Sequence, residues 1–278
     1  MLTVPWKEFK AELEAKLDRI LQDSMAIYAP PSEPAAPKPK DEREGCAEAG
    51  RMSAEDFAAL CKTGTPQEVQ EAVDAGADVN AKDAAGMAAL LCAAKHNNAP
   101  VISVLLDAGA DVNARGNLLG WTALLCAVRY DSSPEVISVL LNAGANVNAK
   151  DNAGQTALLY AARDDNTPVI AALLNAGADV NAADNAGCTA LLYAVKYNNI
   201  PVIAALLNAG ADVNAENNAG WTALLCAAMD DNAPVILALL DAGADAGAKN
   251  SDGWTPLMYA AKHSNIPVLS ALIDALKG

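Results

Sequence analysis

Self-similarity constrains this chain more than any other feature. The string "GADVNA", or a near copy, begins at Gly76, Gly109, Gly144, Gly177, Gly210 and Gly243, in steps of 33, 35, 33, 33 and 33 residues. Ten or eleven residues further on lies a second glycine: Gly86, Gly120, Gly154, Gly187, Gly220 or Gly253. "TALLxAA" follows and then, fourteen residues past that glycine, a proline: Pro100, Pro134, Pro168, Pro201, Pro234 or Pro267. A fixed period of this size describes a stack of small units, none of which can bury its apolar face alone.

One unit can be read from residues 154 to 187. Thr156 is an N-cap, and "ALLYAAR" behind it predicts a short helix of strong helix formers. Asp165 falls where that helix must stop. Asn, Asp or Ser stands there in every copy, as suits a left-handed residue. Asn166 then caps a second helix, with Pro168 tolerated in its first turn. "VIAALLNA" continues that helix until Gly177 ends it. "ADVNAADNAG" is rich in turn residues and reads as an extended hairpin finger. Neither helix is long enough to stand alone in water, so stability must come from stacking.

These residues resemble the ankyrin repeat family, above all in "DNAGQTALLYAA", "VIAALLNAGADVNA" and "DGWTPLMYAA". The resemblance covers residues 53–278 in seven copies, near 53–82, 83–115, 116–150, 151–183, 184–216, 217–249 and 250–278. It implies an all-α solenoid of stacked helix-turn-helix repeats with β-hairpin fingers. It also implies a protein partner gripped by the finger tips and the inner face of the first helices. One departure stands out. The family's usual Thr-Pro-Leu-His has lost its His, leaving Leu91, Leu125, Leu159, Leu192, Leu225 and Met258, which puts in doubt the hydrogen-bond network that this His supplies in relatives. Ala88 also replaces a capping Thr, so the first helix of the second copy is expected to fray. At the start of the array, Ser53 and Asp56 suit a capping box. The last copy runs out in "LIDALKG".

Residues 1–28 predict a separate amphipathic helix, with Trp6, Phe9, Leu13, Leu17, Ile20 and Leu21 at helical spacing. It is expected to dock on the solenoid or in a partner's groove; its mixed charge argues against a membrane surface. Residues 29–52, with "APPSEPAAPKPKDEREG", read as a proline-rich disordered linker.

Composition narrows the function. Of 278 residues, 53% are apolar but only 4% aromatic, as a stack filled by Ala and Leu requires. The net charge of −15 argues against direct nucleic-acid binding. No run of 18 apolar residues or secretory leader is evident, so a cytoplasmic location is expected, with no membrane partner. Six cysteines show no CxxC pair and no clustered His, and are expected to be buried thiols, not metal ligands. His96 and His263 are the only histidines and lie in distant copies. No phosphate loop, catalytic triad or metal spacing appears, so no enzyme activity, cofactor or metal is expected.

The residues that vary between copies carry the functional expectation. Trp121, Trp221 and Trp254 follow the turn glycine, in a column with Met87, Gln155 and Cys188. Tyr130, Tyr160, Tyr193, Tyr197 and Tyr259 lie in or at the end of first helices. With them stand Lys95, Arg129, Arg163, Lys196 and Lys262, while Lys82, Arg115, Lys150 and Lys249 mark the finger bases. Aromatic residues and Arg are enriched at binding hot spots. The third copy's finger, "GNLLGWTALL", places Leu118 and Leu119 beside Trp121 as an exposed apolar patch. The expected site is therefore a groove in which all these rings and cations point outward. It would make the chain a non-enzymatic, monomeric protein-interaction scaffold. The alternative is an acidic inhibitor or effector covering a basic, nucleic-acid-binding surface of its target.

Overall fold

The computed structural model describes residues 52–116, 119–130, 133–164 and 166–277. The expected helix at 1–28 and all of its linker but Met52 lie outside these residues, as do Leu118, Asp131 and Asp165. The described residues hold fourteen helices in seven pairs. The pairs are α1 (Ala54–Thr63) and α2 (Pro66–Asp74), α3 (Ala89–Lys95) and α4 (Ala99–Asp107), and α5 (Ala123–Arg129) and α6 (Pro134–Asn142). Then come α7 (Ala157–Arg163) and α8 (Thr167–Asn175), α9 (Ala190–Lys196) and α10 (Ile200–Asn208), and α11 (Ala223–Met229) and α12 (Ala233–Asp241). The last are α13 (Pro256–His263) and α14 (Ile266–Ala275). The first helix of each pair packs on the first helix of the next, and most second helices pack on the second helix of the next pair.

The signals read from one unit recur at helix ends. Thr122, Thr156, Thr189, Thr222 and Thr255 accept hydrogen bonds from the third residue of the helix each caps. Ala88 caps α3 with no such bond. Asn166, Asn199, Asn232 and Asn265 cap the second helices. Asn97, Asn198, Asp231 and Ser264 adopt the left-handed conformation between helices (φ 53 to 58°).

The core lies between units. "ALL" at the start of α3, α5, α7, α9 and α11 is buried, as are Val101, Ile102, Leu105 and their copies in α6, α8, α10 and α12. Alanines such as Ala93, Ala94, Ala161 and Ala162 are fully buried and let neighbouring helix backbones approach closely. Cys61, Cys92, Cys126 and Cys226 are buried free thiols, and Cys188 is half-buried.

Two ladders join successive units outside the helices. Asn80 donates its amide to the Gly109 carbonyl at 3.2 Å and accepts the Asp111 N–H at 2.8 Å. Asn113, Asn148, Asn181 and Asn214 clasp the next unit in the same way. A side-chain amide matches a peptide group in both donor and acceptor, which is why Asn recurs here. The sixth copy carries Gly247 at this place, and in the unit after it the second helix runs on to Leu276, in the helical conformation, where the other units have the glycine turn that the clasp holds. The fingers form the second ladder, through Asn152, Asn185, Asn218 and Ser251 N–H groups bonded to the preceding finger's carbonyls. Among the described residues, pairing within a finger is limited to isolated bridges such as Lys82 with Ala88, so these fingers are turns more than β-hairpins.

Candidate partner-binding face

In three units the residue that opens the finger return, Asp151, Asp184 or Asn250, is the centre of a buried polar cluster. Asp151 takes the N–H groups of Ala153 and Gln155 on Oδ1, both at 2.8 Å. Its Oδ2 accepts the Tyr160 hydroxyl at 2.7 Å and the Trp121 indole N–H, from the preceding unit, at 3.1 Å. Asp184 repeats the arrangement one unit on. Its Oδ1 takes Ala186 and Cys188 N–H, and its Oδ2 takes Tyr193 at 2.7 Å and Gln155 at 2.6 Å. In the last unit Asn250 donates to the Tyr259 hydroxyl at 3.2 Å. Burial, then the neighbouring Asp184, push the Tyr193 phenol far above its ordinary pKa, and burial raises that of Tyr259 to about 12.

These contacts correct the expected groove. Tyr160, Tyr193 and Tyr259 are buried, and so are Trp121 and Trp221; none points outward. The reason is that a ring at the fourth helical position lies beneath the fingers, where an acidic or amide group waits for its hydroxyl. Such polar contacts serve the linking role for which the absent histidines left no obvious substitute. Trp254 is half-buried, with Lys262 over its ring. Leu119 is half-buried and its carbonyl accepts the Asn152 N–H, so it serves the finger ladder. The cations at the finger bases have a similar use. Lys82, Arg115 and Lys150 each donate to a carbonyl of the next unit, at 2.8, 2.7 and 2.9 Å.

The buried pairing of Asp with Tyr was missed in the sequence, although a signal exists. Asp151, Asp184 and Asn250 carry Tyr160, Tyr193 and Tyr259 nine residues on, whereas Asp83 and Asn217 carry Cys92 and Cys226 there, so the spacing to a tyrosine, and not the acid itself, is the signal.

What remains at the surface is narrower and more coherent. Tyr130 and Tyr197 are 46% and 45% exposed. Each is the C-cap of its helix, beyond the last turn, and so projects where the buried tyrosines cannot. Cations stand beside rings: Lys95 lies 4.8 Å from the Tyr130 ring centroid, Lys196 5.9 Å from Tyr197, and Lys262 3.7 Å from Trp254. Arg163 stacks over Tyr160 at 5.3 Å and bonds Asp164 at 3.0 Å, and Arg129 approaches the same carboxylate at 4.0 Å. Lys95, Arg129, Arg163 and Lys196 end the first helices of four consecutive units, so stacking sets them in one row. A surface of aromatic edges and cationic heads can take polar or acidic side chains. Among the described residues no cluster of His, Cys, Asp and Glu is arranged to hold a metal ion, and no helix is long and apolar enough to cross a membrane.

The comparisons with known proteins agree with this architecture. The family model described as ankyrin repeats (3 copies) matches residues 57–151, 144–217 and 206–277. A solved structure, the ankyrin repeat domain of Bcl-3, described as a unique member of the IkappaB protein family, aligns with a TM-score of 0.70 at 28% identity, over 80% of this chain and 97% of that one. The sequence matches none of the curated proteins with which it was compared. With the family model spanning nearly all of the array, this chain belongs to the ankyrin repeat family.

Proposed function

We propose that the chain is a non-enzymatic scaffold that binds a partner protein through the row of first-helix ends. Ankyrin repeats are in general protein-interaction modules, and a protein partner follows from that membership. The observation that carries the reading here is the sorting of the rings. Five of the eight aromatics beyond residue 60 are consumed by the interior, yet Tyr130 and Tyr197 stay nearly half exposed beside cations in one row. Large amphipathic rings held at low entropic cost beside Arg and Lys are the usual makings of a hot spot. An inhibitor acting through its acidic surface alone would leave this row without a use.

The test is affinity capture from native lysate with the full chain and with a Tyr130→Ala/Tyr197→Ala variant. Both substitutions are at exposed sites, so helicity should be preserved. Captured proteins should be lost or strongly depleted with the variant. An unchanged set of captured proteins would reject the row as the site.

A further inference from the structure

The row has a spacing as well as a charge, and the spacing selects a ligand. Neighbouring packed helices lie about 8–10 Å apart. An extended peptide advances about 3.3 Å per residue, so three residues cover about 10 Å. Lys95, Arg129, Arg163 and Lys196 present one cation per unit, and the series stops at Met229, which is buried, with Asp230 after it.

We propose that this face binds an extended acidic segment of a partner protein, with carboxylates three residues apart in register with Lys95, Arg129 and Lys196. This rests on the row being the binding site. The third place in the series is internally answered. Asp164 bonds the Arg163 guanidinium and lies 4.0 Å from Arg129, so it already supplies a carboxylate within the row. An incoming acid there meets competition from Asp164, whereas an acid opposite Lys95 meets an ammonium group 4.8 Å from the Tyr130 ring centroid. Asp230 ends the track by repulsion. Nucleic acid is a poorer fit, because its continuous phosphates would run onto Asp164 and Asp230 on a chain of net charge −15.

The experiment measures fluorescence anisotropy of a labelled peptide, Asp-Ser-Gly repeated four times, against the full chain at low salt. Its control is an isomer with the four Asp contiguous, which has the same charge and therefore the same long-range attraction. The spaced peptide should bind at least several-fold more tightly than the isomer. Lys95→Ala and Lys196→Ala should each weaken it by about two- to fivefold, in keeping with exposed ion pairs. Asp164→Asn should tighten it, a gain that no misfolded variant can imitate. Equal binding of the two peptides, or indifference to all three substitutions, overturns the inference. So does comparable binding of a twelve-residue oligothymidylate, which would mean attraction to polyanions in general. If captured partners still depend on Tyr130 and Tyr197 in that event, the row remains a binding site and only its acidic register is wrong; if they do not, both readings fall.

Discussion

Tyr160 donates its hydroxyl proton to Asp151 at 2.7 Å, on the same carboxylate oxygen that receives the Trp121 indole N–H from the preceding unit. One buried oxygen thereby links two repeats. Asp184 has the same role toward Tyr193, but there the neighbouring donor is Gln155. The difference yields a prediction. An amide at either place keeps Oδ1 for the two backbone N–H groups and turns an NH2 toward the former Oδ2 partners. Gln155 can rotate its amide to offer oxygen, and Tyr193 can adjust with it. Trp121 has no such freedom, since an indole only donates. Asp151→Asn should therefore cost about 1–3 kcal/mol of unfolding free energy, the penalty of a buried donor facing a donor. Asp184→Asn should cost about 1 kcal/mol or less. Urea titrations of the two variants decide it; equal losses would show that the indole bond carries no weight.

Buried thiols and phenols set the alkaline limit of stability. Burial raises Cys61, Cys126 and Cys226 to about 12 and Cys188 to about 11, against an ordinary 9.0, and raises Tyr259 to about 12. Each group is then a weaker acid folded than unfolded. Above pH 9 the unfolded chain sheds protons that the folded chain keeps, so stability falls as pH rises from 9 toward 12. The slope is about 1.4 kcal/mol per pH unit for each such group once its unfolded form is ionised. Urea midpoints should thus be level near pH 7 to 8 and drop steeply by pH 10.5. Cys126→Ala should make that drop shallower, and an unchanged slope would mean that Cys126 does not contribute to it.

The asparagine clasps should act only where the following unit ends its second helix in a glycine turn. Asn148→Ala removes the bond to the Gly177 carbonyl and the one from the Asp179 N–H. Both lie at the surface, so water replaces them in part and the loss should be about 1 kcal/mol. Gly247→Asn restores the clasp residue before the last unit, where helical Leu276 replaces the glycine turn that the other clasps hold, and should change stability by no more than a few tenths of a kcal/mol. Thermal or urea unfolding of this pair separates a clasp from a mere preference for Asn in turns, which would make both sites respond alike.

Much of the architecture was legible because each signal is local. Thr before "ALL", Asn before proline and glycine after the second helix each act within one turn of backbone, so their positions alone located the helices. The exposure of side chains was not legible in the same way. Tyr160 and Tyr197 are both tyrosines at first-helix positions, yet one is buried and the other is 45% exposed. What separates them is whether a finger lies overhead and whether Asp151 or its equivalent stands within reach, and that depends on the packing of one copy on another. The finger-base cations were misread for a related reason. A column of Lys and Arg looks like a binding surface in one dimension, whereas Lys82, Arg115 and Lys150 each reach across to a carbonyl one repeat away.

The second copy contains an unfilled cap that a single substitution should supply. Ala88 precedes α3 in the extended conformation used by Thr122 and Thr156, at φ −75° and ψ 157°, but offers no oxygen to the helix. Its surroundings match those of the threonines, since Ala88 is 2% exposed and Thr122, Thr156, Thr189 and Thr222 are all buried at the same place. A threonine there would accept the Leu91 N–H, as Thr122 accepts that of Leu125 at 3.3 Å. Replacement of a capping Thr by Ala costs about 0.5–2 kcal/mol in other helices, so Ala88→Thr should stabilise the array by about 1 kcal/mol. Hydrogen exchange localises the effect: amides of α3 should slow more than those of α11, whose cap is already complete. Loss of stability instead would mean that the space beside Met87 and Lys82 is too tight for the extra methyl and hydroxyl.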